Sequence, residues 1–341
     1  MRLDVIVATY NRCELLKRTL ASLLVAEAPP GLDVRVAVAD NNSEDMTRKV
    51  VEEWMPKFGG RLQYLFEGRQ GRSYALNTAI ASTGGELVGM IDDDEEIDRG
   101  WYARVAEAFQ DDAVDFIGGP YVPRWGAEPP AWLPESYRGA IGWVDGGDKI
   151  LPYDENYPGI LMGGNAIFRR ALLMRVGLYA TNLGRTDKHL LSCEDDDMYQ
   201  RILAAGARGF YRPDLIIHHY IPPERLTKSY YRRWCFWRGV SHGVMDHQRR
   251  SSVTYLLGVP RWFYGQAARG LLRIATTTLS ARSDEAQNFS DELGAWNLAG
   301  FFYGKHFYRS EGGWEAGHHP GSSSSETEDV PQSQRKIRET N

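Results

Sequence analysis

Apolar and polar positions in the first 120 residues alternate between two rhythms. Leu3-Asp-Val-Ile-Val-Ala8 is a β-branched apolar run that reads as a strand, and residues 12–24 carry Leu15, Leu16, Leu20, Leu23 and Leu24 at helical spacing. The alternation continues with a strand over 34–39, a helix over 46–54 stopped near Pro56, and a strand over 62–66. A helix over 73–81 ends at Gly84-Gly85, followed by a strand over 87–91, a helix over 101–109 and a strand over 114–117. Such β/α alternation implies a mostly parallel central sheet with helices on both faces. Open sheets of this kind bind ligands beyond the carboxyl ends of their strands. Polar clusters fall at those ends: Thr9-Tyr10-Asn11-Arg12, Asp40-Asn41-Asn42-Ser43 and Asp92-Asp93-Asp94.

The periodicity fails over 121–158, a stretch rich in Pro, Gly and aromatic residues, which reads as a long irregular loop or lid. Regular structure resumes at Ala166-Ile-Phe168 and a helix near Arg170, then a helix over 198–205 and a short strand over 215–217. Residues 225–273 hold ten Lys or Arg and one acid, Asp246. From Gly312 onward the chain is polar, with the run Ser322–Ser325, and is expected to be a disordered tail. The division that follows is an α/β domain over 1–224, a basic and aromatic helical region over 225–310, and a tail over 311–341.

Length and composition narrow the class. The 341 residues suit one large domain or a domain with an appendage, and 43% apolar with 25% charged residues is ordinary for a globular protein. A formal net charge of −5 and the lack of a binding motif argue against nucleic acid as a partner. Cys13, Cys193 and Cys235 are too few and too scattered for a disulfide framework, so a reducing compartment is expected. The N-terminus has no apolar leader segment, and no stretch of 18 apolar residues occurs. The expected location is the cytoplasm, with peripheral contact at the inner face of the plasma membrane as an extension of that expectation.

The clusters carry specific chemistry. Asp92, Asp93 and Asp94 follow an apolar strand, and adjacent carboxylates repel unless a cation or donors compensate. Hard oxygen ligands suit Mg²⁺ or Mn²⁺, and alternation along an extended segment lets Asp92 and Asp94 face one site. A solvated acidic turn is the bland alternative. Residues 9–12 open a helix whose N–H groups favour an anion, with Arg12 as a phosphate fork and Tyr10 as a surface for a nucleobase. A capped helix with a surface arginine fits those residues too. Asp40 is suited to accept from a base N–H, or to form an Asx turn. Glu194-Asp195-Asp196-Asp197 precedes the helix over 198–205, where acids complement the macrodipole; a carboxylate there also suits a general base.

Taken in order, Val7-Ala-Thr-Tyr-Asn-Arg12, Val38-Ala-Asp40, Gly71-Arg-Ser-Tyr-Ala-Leu-Asn77, Ile91-Asp-Asp-Asp94 and Glu194-Asp195 resemble the family-2 inverting glycosyltransferases of GT-A fold, over about residues 1–240. The resemblance implies transfer of a glycosyl residue from a nucleoside-diphosphate sugar, a UDP-sugar being favoured, to an acceptor hydroxyl with inversion and with Mn²⁺ or Mg²⁺. It also implies site residues. Thr9, Tyr10, Arg12 and Asp40 look like the base- and ribose-binding positions, and Asn77 matches the family's Asn before the metal strand. Asp92 looks like the ribose-side carboxylate and a second metal contact, Asp94 the metal ligand, and Asp195 the general base, with Glu194 orienting the acceptor. Gly163-Gly164-Asn165 resembles the acceptor-side segment. His219 is similar to a downstream metal-ligating His, with His218 its rival. The run Asp92-Asp-Asp94-Glu-Glu96 carries more acids than the usual motif.

The acceptor is expected to be a carbohydrate or a lipid-linked molecule lying under the 125–158 segment, where Trp132 or Trp143 either stacks on sugar or packs. Projected at helical period, Arg225, Lys228 and Arg232 oppose Tyr230, Trp234, Trp237 and Val244, followed by Arg249, Arg250, Arg261, Trp262, Phe263, Tyr264, Arg269 and Arg273. That mixture suits an anionic membrane surface, or a helix packing its aromatic face on the main domain. The functional rival is a catalytically inactive sugar-nucleotide-binding module. A nucleotidyltransferase would need a Gly-bearing loop after the first strand, and a dinucleotide dehydrogenase a Gly-x-Gly-x-x-Gly there; both are missing.

Overall fold

The strands and helices of the N-terminal half form where the apolar rhythm places them. In the computed structural model, which describes residues 1–185, 190–248, 253–279 and 284–309, β1 (Arg2–Thr9), α1 (Cys13–Val25), β2 (Asp33–Asp40), α2 (Thr47–Trp54), β3 (Leu62–Phe66), α3 (Arg72–Ser82) and β4 (Leu87–Asp92) follow in order. The expected tail, Arg249 and Arg250 lie outside the described residues.

Next come β5 (Glu95–Ile97), α4 (Trp101–Ala108), β6 (Phe116–Gly118), β7 (Tyr121–Trp125), β8 (Leu151–Pro152), β9 (Ala166–Arg169), α5 (Arg170–Val176), α6 (Glu194–Ala204), β10 (Gly209–Tyr211) and β11 (Ile217–Ile221). The main sheet runs β3-β2-β1-β4-β9-β6-β10-β8. Strands β1 to β4 are parallel, β9 is antiparallel to both β4 and β6, and β10 is parallel to β6. Strand β1 is buried almost throughout because both its neighbours and both layers cover it. One apolar core joins the sheet to α1, α2 and α4, and the other joins it to α3, α5 and α6. Helices therefore cover both faces.

Three differences from the sequence reading bear on the site. The acidic run does not end in open solvent: Asp93 and Asp94 form the turn of a tight reversal, and β5 leaves it to pair antiparallel with β11. The segment over 121–158 is not wholly irregular, since β7 pairs in parallel with β11 and a 3-10 turn covers Glu135–Ile141. Pro123 hides β7 from a pattern reading, and it is tolerated because β7 is the edge of the β5-β11-β7 sheet. The four acids do not precede α6 but make its first turn, with Cys193 in a left-handed conformation (φ 76°) just before it.

The C-terminal region holds α7 (Lys228–Gln248), a hairpin of β12 (Tyr255–Leu256) and β13 (Val259–Pro260), α8 (Arg261–Leu279) and α9 (Glu285–His306). Helices α7 and α9 cross in backbone contact: a Cβ on Gly239 would overlap Asn297 O, and one on Gly300 would overlap Phe236 O. Tyr231 and Cys235 of α7 share a core with Ile141, Ile221, Phe289 and Leu293, so the helical region is built onto the α/β layer. Of the two readings of the aromatic side of α7, packing is the one observed: Tyr230 and Trp234 lie against that core, and Tyr230 Oη donates to Ala140 O at 3.2 Å.

Candidate active site

A cavity of about 910 Å³ opens at the carboxyl ends of β1 and β4, between the sheet, the N-terminus of α6 and the 3-10 turn at 135–141. Its floor is the acidic reversal after β4. The three aspartates have separate surroundings. Asp93 accepts from Thr9 Oγ1 at 2.8 Å and from Arg12 Nη1 at 3.0 Å, while its backbone oxygen accepts from Thr19 Oγ1 at 3.0 Å. It ties β1 and α1 to the turn. Burial raises its carboxyl to about 6 even though Arg12 pulls the other way.

Asp94 is buried beneath two arginines. Arg12 Nη1 and Arg225 Nη2 donate to its Oδ2 at 3.0 and 3.1 Å, and His219 Nε2 stands 3.5 Å from its Oδ1. Burial alone would raise Asp94, but His219, Arg225 and Arg12 outweigh it and hold the carboxyl well below its ordinary range. Asp92 lies at the rim, its carboxylate held by Arg72 Nη2 at 2.7 Å.

Arg72 organises the rest. Besides Asp92, its Nη1 donates to Glu194 at 3.2 Å and lies 3.5 Å from Asp195 Oδ1. One largely buried guanidinium thus links the acidic turn after β4 to the acidic first turn of α6. Asp195 also accepts from the backbone N–H of Gly163 at 3.0 Å, and its Oδ1 has no hydrogen-bond partner among the described residues. Burial, opposed by Arg72 and assisted by Glu194, raises the Asp195 carboxyl to about 7. Gly164 performs a similar service for Glu95: a Cβ there would overlap Glu95 Oε1. Glu95 is fully buried, accepts from Asp92 N at 2.7 Å, and is pushed well above the carboxylate range by burial and by Asp92 and Asp94.

The remaining predicted positions fall in two groups. Thr9, Tyr10, Arg12, Asp92, Asp94, Gly164, Glu194, Asp195 and His219 all line the cavity. Asp40, Asn77 and Asn165 do not, because each is spent on the frame. Asp40 accepts from Ser43 N at 2.9 Å and Tyr64 Oη at 2.7 Å, which is the Asx-turn alternative. The Asn77 amide brackets the backbone of Tyr179, donating to its oxygen at 2.8 Å and accepting from its N–H at 2.9 Å. Asn165 is buried between Trp101 Nε1 at 2.9 Å and Leu215 O at 2.7 Å. Of the two tryptophans, Trp132 packs edge-on against Tyr231 and Phe289, whereas Trp143 lines the cavity with the Arg138 guanidinium 4.0 Å over its ring. His218 does not line it. Arg72, Glu95, Asn41 and Arg225 carry site contacts that the sequence reading did not assign. Arg72 lies inside the quoted Gly71–Asn77 motif and Arg225 on the basic side of the projected helix, and neither has a local sequence signal for its contact with a distant acid.

The donors at Asp94 and His219, an oxygen and an imidazole nitrogen, suit a divalent cation completed by substrate phosphates. The His219 Nδ1 has no hydrogen-bond partner among the described residues, and Arg225 Nη1 lies 3.2 Å from its Nε2, so a cation there shares or displaces that guanidinium. Cys193, Asp196 and His242 also bring ligand atoms within 4.8 Å of one another at the cavity edge. The positive charge of Arg238 acts on all three, which opposes a cation.

Residues 4–177 match the sequence profile of Glycosyl transferase family 2. The chain belongs to that family. Its relatives include a glucosyl-dolichyl phosphate glucuronosyltransferase of Haloferax volcanii, 28% identical over 72% of this chain and 78% of the relative. The succinoglycan biosynthesis protein ExoM of Rhizobium meliloti is 26% identical over 71% of this chain and 74% of its own. Among solved structures, the mannosyltransferase PcManGT of Pyrobaculum calidifontis, in complex with GDP-Man and Mn²⁺, superposes with TM-score 0.60 at 20% identity over 89% of this chain and 86% of that one. This glycosyltransferase therefore has the GT-A fold, with its mixed sheet, two helical layers and a helical C-terminal region. Among the described residues no helix is long and apolar enough to cross a membrane.

Proposed function

We propose that this glycosyltransferase moves a glycosyl group from a nucleoside-diphosphate sugar to an acceptor hydroxyl in one inverting displacement, with Asp195 as the base. The observation that carries the reading is Asp195 itself: a partly buried carboxyl facing the cavity, anchored by Gly163 and held at about 7, where it accepts a proton efficiently at neutral pH. The acceptor oxygen attacks the anomeric carbon as Asp195 takes its proton. The bond from that carbon to the diphosphate breaks, and the nucleoside diphosphate leaves. Asp94, with His219 and Asp92 nearby, would hold Mn²⁺ or Mg²⁺, which would supply charge to neutralise the leaving diphosphate. Thr9, Tyr10 and Arg12 serve the nucleotide directly, Asp40 and Asn77 through the backbone they brace. Gly164, Asn165 and Glu194 shape the acceptor side. For this purpose residues 1–224 form the catalytic unit and 225–310 a helical region that contributes Arg225.

The donor is favoured to be a UDP-sugar; a solved relative of the fold, TarS of S. aureus, is known in complex with UDP-GlcNAc, and PcManGT with GDP-Man. A lipid-linked acceptor is favoured by the dolichyl and undecaprenyl substrates named for two relatives. A panel of nucleotide sugars, each tested with Mn²⁺ and with chelator for thermal stabilisation and for release of nucleoside diphosphate, tests the reading. One donor should stabilise and turn over only with metal. Stabilisation without any turnover would favour the inactive binding module instead.

A further inference from the structure

Helix α8 has two unlike faces. Phe263, Ala267 and Gly270 are buried, with Phe263 5.0 Å from Phe301 of α9. The outward side nonetheless carries Trp262 at 53% and Leu272 at 65% exposure. The hairpin that leads into α8 adds Leu256 and Leu257, 51% and 69% exposed. A solvated helix would place polar residues at these positions.

The hairpin is held out in a fixed shape. Tyr264 Oη donates to Leu256 O at 3.2 Å, the His306 imidazole meets Leu257 O at 2.8 Å, and Leu257 itself sits at the turn with a left-handed backbone (φ 48°). A leucine in that conformation costs free energy, and at 69% exposure it gains little from packing among the described residues. Charge points to the partner. Residues 253–279 contain Arg261, Arg269 and Arg273 and no acid. Arg273 pairs with Asp291 at 3.3 Å, whereas Arg261 and Arg269 have no acidic partner among the described residues, and both are exposed.

We propose that the β12–β13 hairpin and the outward face of α8 are a docking surface for an anionic phospholipid bilayer: Leu256, Leu257 and Trp262 enter the headgroup–acyl boundary, and Arg261 and Arg269 lie against lipid phosphates. The proposal confines the membrane face to α8 and its hairpin, since the aromatic side of α7 is packed. Its purpose rests on the reading above, because a lipid-linked acceptor is presented at a bilayer.

The test is flotation of the full chain with phosphatidylcholine vesicles, with and without phosphatidylglycerol. The intact chain should float with the anionic vesicles and less so at high salt. Leu257→Glu combined with Trp262→Glu should lower the floated fraction by about tenfold or more, and Arg261→Glu with Arg269→Glu should remove the preference for anionic lipid. Metal-dependent hydrolysis of the donor, measured without lipid, should be unchanged in both variants; its absence in every form would sink the transferase reading without touching the docking result. Equal recovery of intact and variant chains would overturn the proposal. So would light scattering that shows a dimer converted to a monomer by the double variant, since a second copy would then cover this face.

Discussion

The backbone N–H of Gly163 donates to one oxygen of Asp195 at 3.0 Å, and a Cβ on the same residue would overlap the other oxygen. A glycine at this point lets the loop before β9 both hold and make room for the proposed base. Gly163→Ala should therefore displace the carboxylate, and kcat should fall by about 10²-fold, since misplacement near 1 Å has that scale. Circular dichroism and donor binding should stay near those of the parent.

Removing the carboxylate itself should be more severe. Asp195→Asn is expected to lower transfer by about 10²- to 10⁴-fold, the usual contribution of a general base. Calorimetric binding of the nucleoside diphosphate should persist. Full transfer activity in this variant would refute the assignment of the base.

The pH profile follows from the position of that group. Asp195 must be ionised to accept a proton, and it is raised to about 7. The logarithm of kcat/KM should rise with unit slope below pH 7 and level off above it. A flat profile between pH 5 and about 8 would show that another group takes the proton.

Burial raises that value and Arg72 restrains it. Its charge opposes the effect of burial on Asp195, so Arg72→Gln should shift the profile's midpoint to higher pH. The same change leaves Asp92, Glu194 and Asp195 without their shared cation. Breaking this partly buried network should lower the melting temperature, which a thermal melt would register.

Asp94 separates metal chemistry from simple charge balance. Asp94→Asn should abolish Mn²⁺-dependent stabilisation by nucleotide; it also takes the carboxylate from buried Arg225, so the metal-free protein should melt lower and the stabilisation is read against each protein's own metal-free melt. Chelation of the parent protein should stop turnover, and added Mn²⁺ should restore it. Metal-dependent stabilisation that survives in the variant would place the cation elsewhere.

The α/β layers and the polar ends of β1, β2 and β4 were legible in the sequence, because strand and helix periods and strand-end polarity are local properties of the chain. Most of the site positions that the family motifs marked do line the cavity, for the same reason. What only the tertiary structure decided is how side chains are spent. Asp40, Asn77 and Asn165 look like ligand-binding residues in sequence, but Tyr64, Tyr179 and Trp101, 24, 102 and 64 residues away, claim their polar groups. Arg72 reaches Glu194 across 122 residues and Arg225 reaches Asp94 across 131, and β7 is a strand only because β11 lies beside it. Burial and neutralisation of charge depend on such distant partners, which no local pattern of apolar and polar residues encodes.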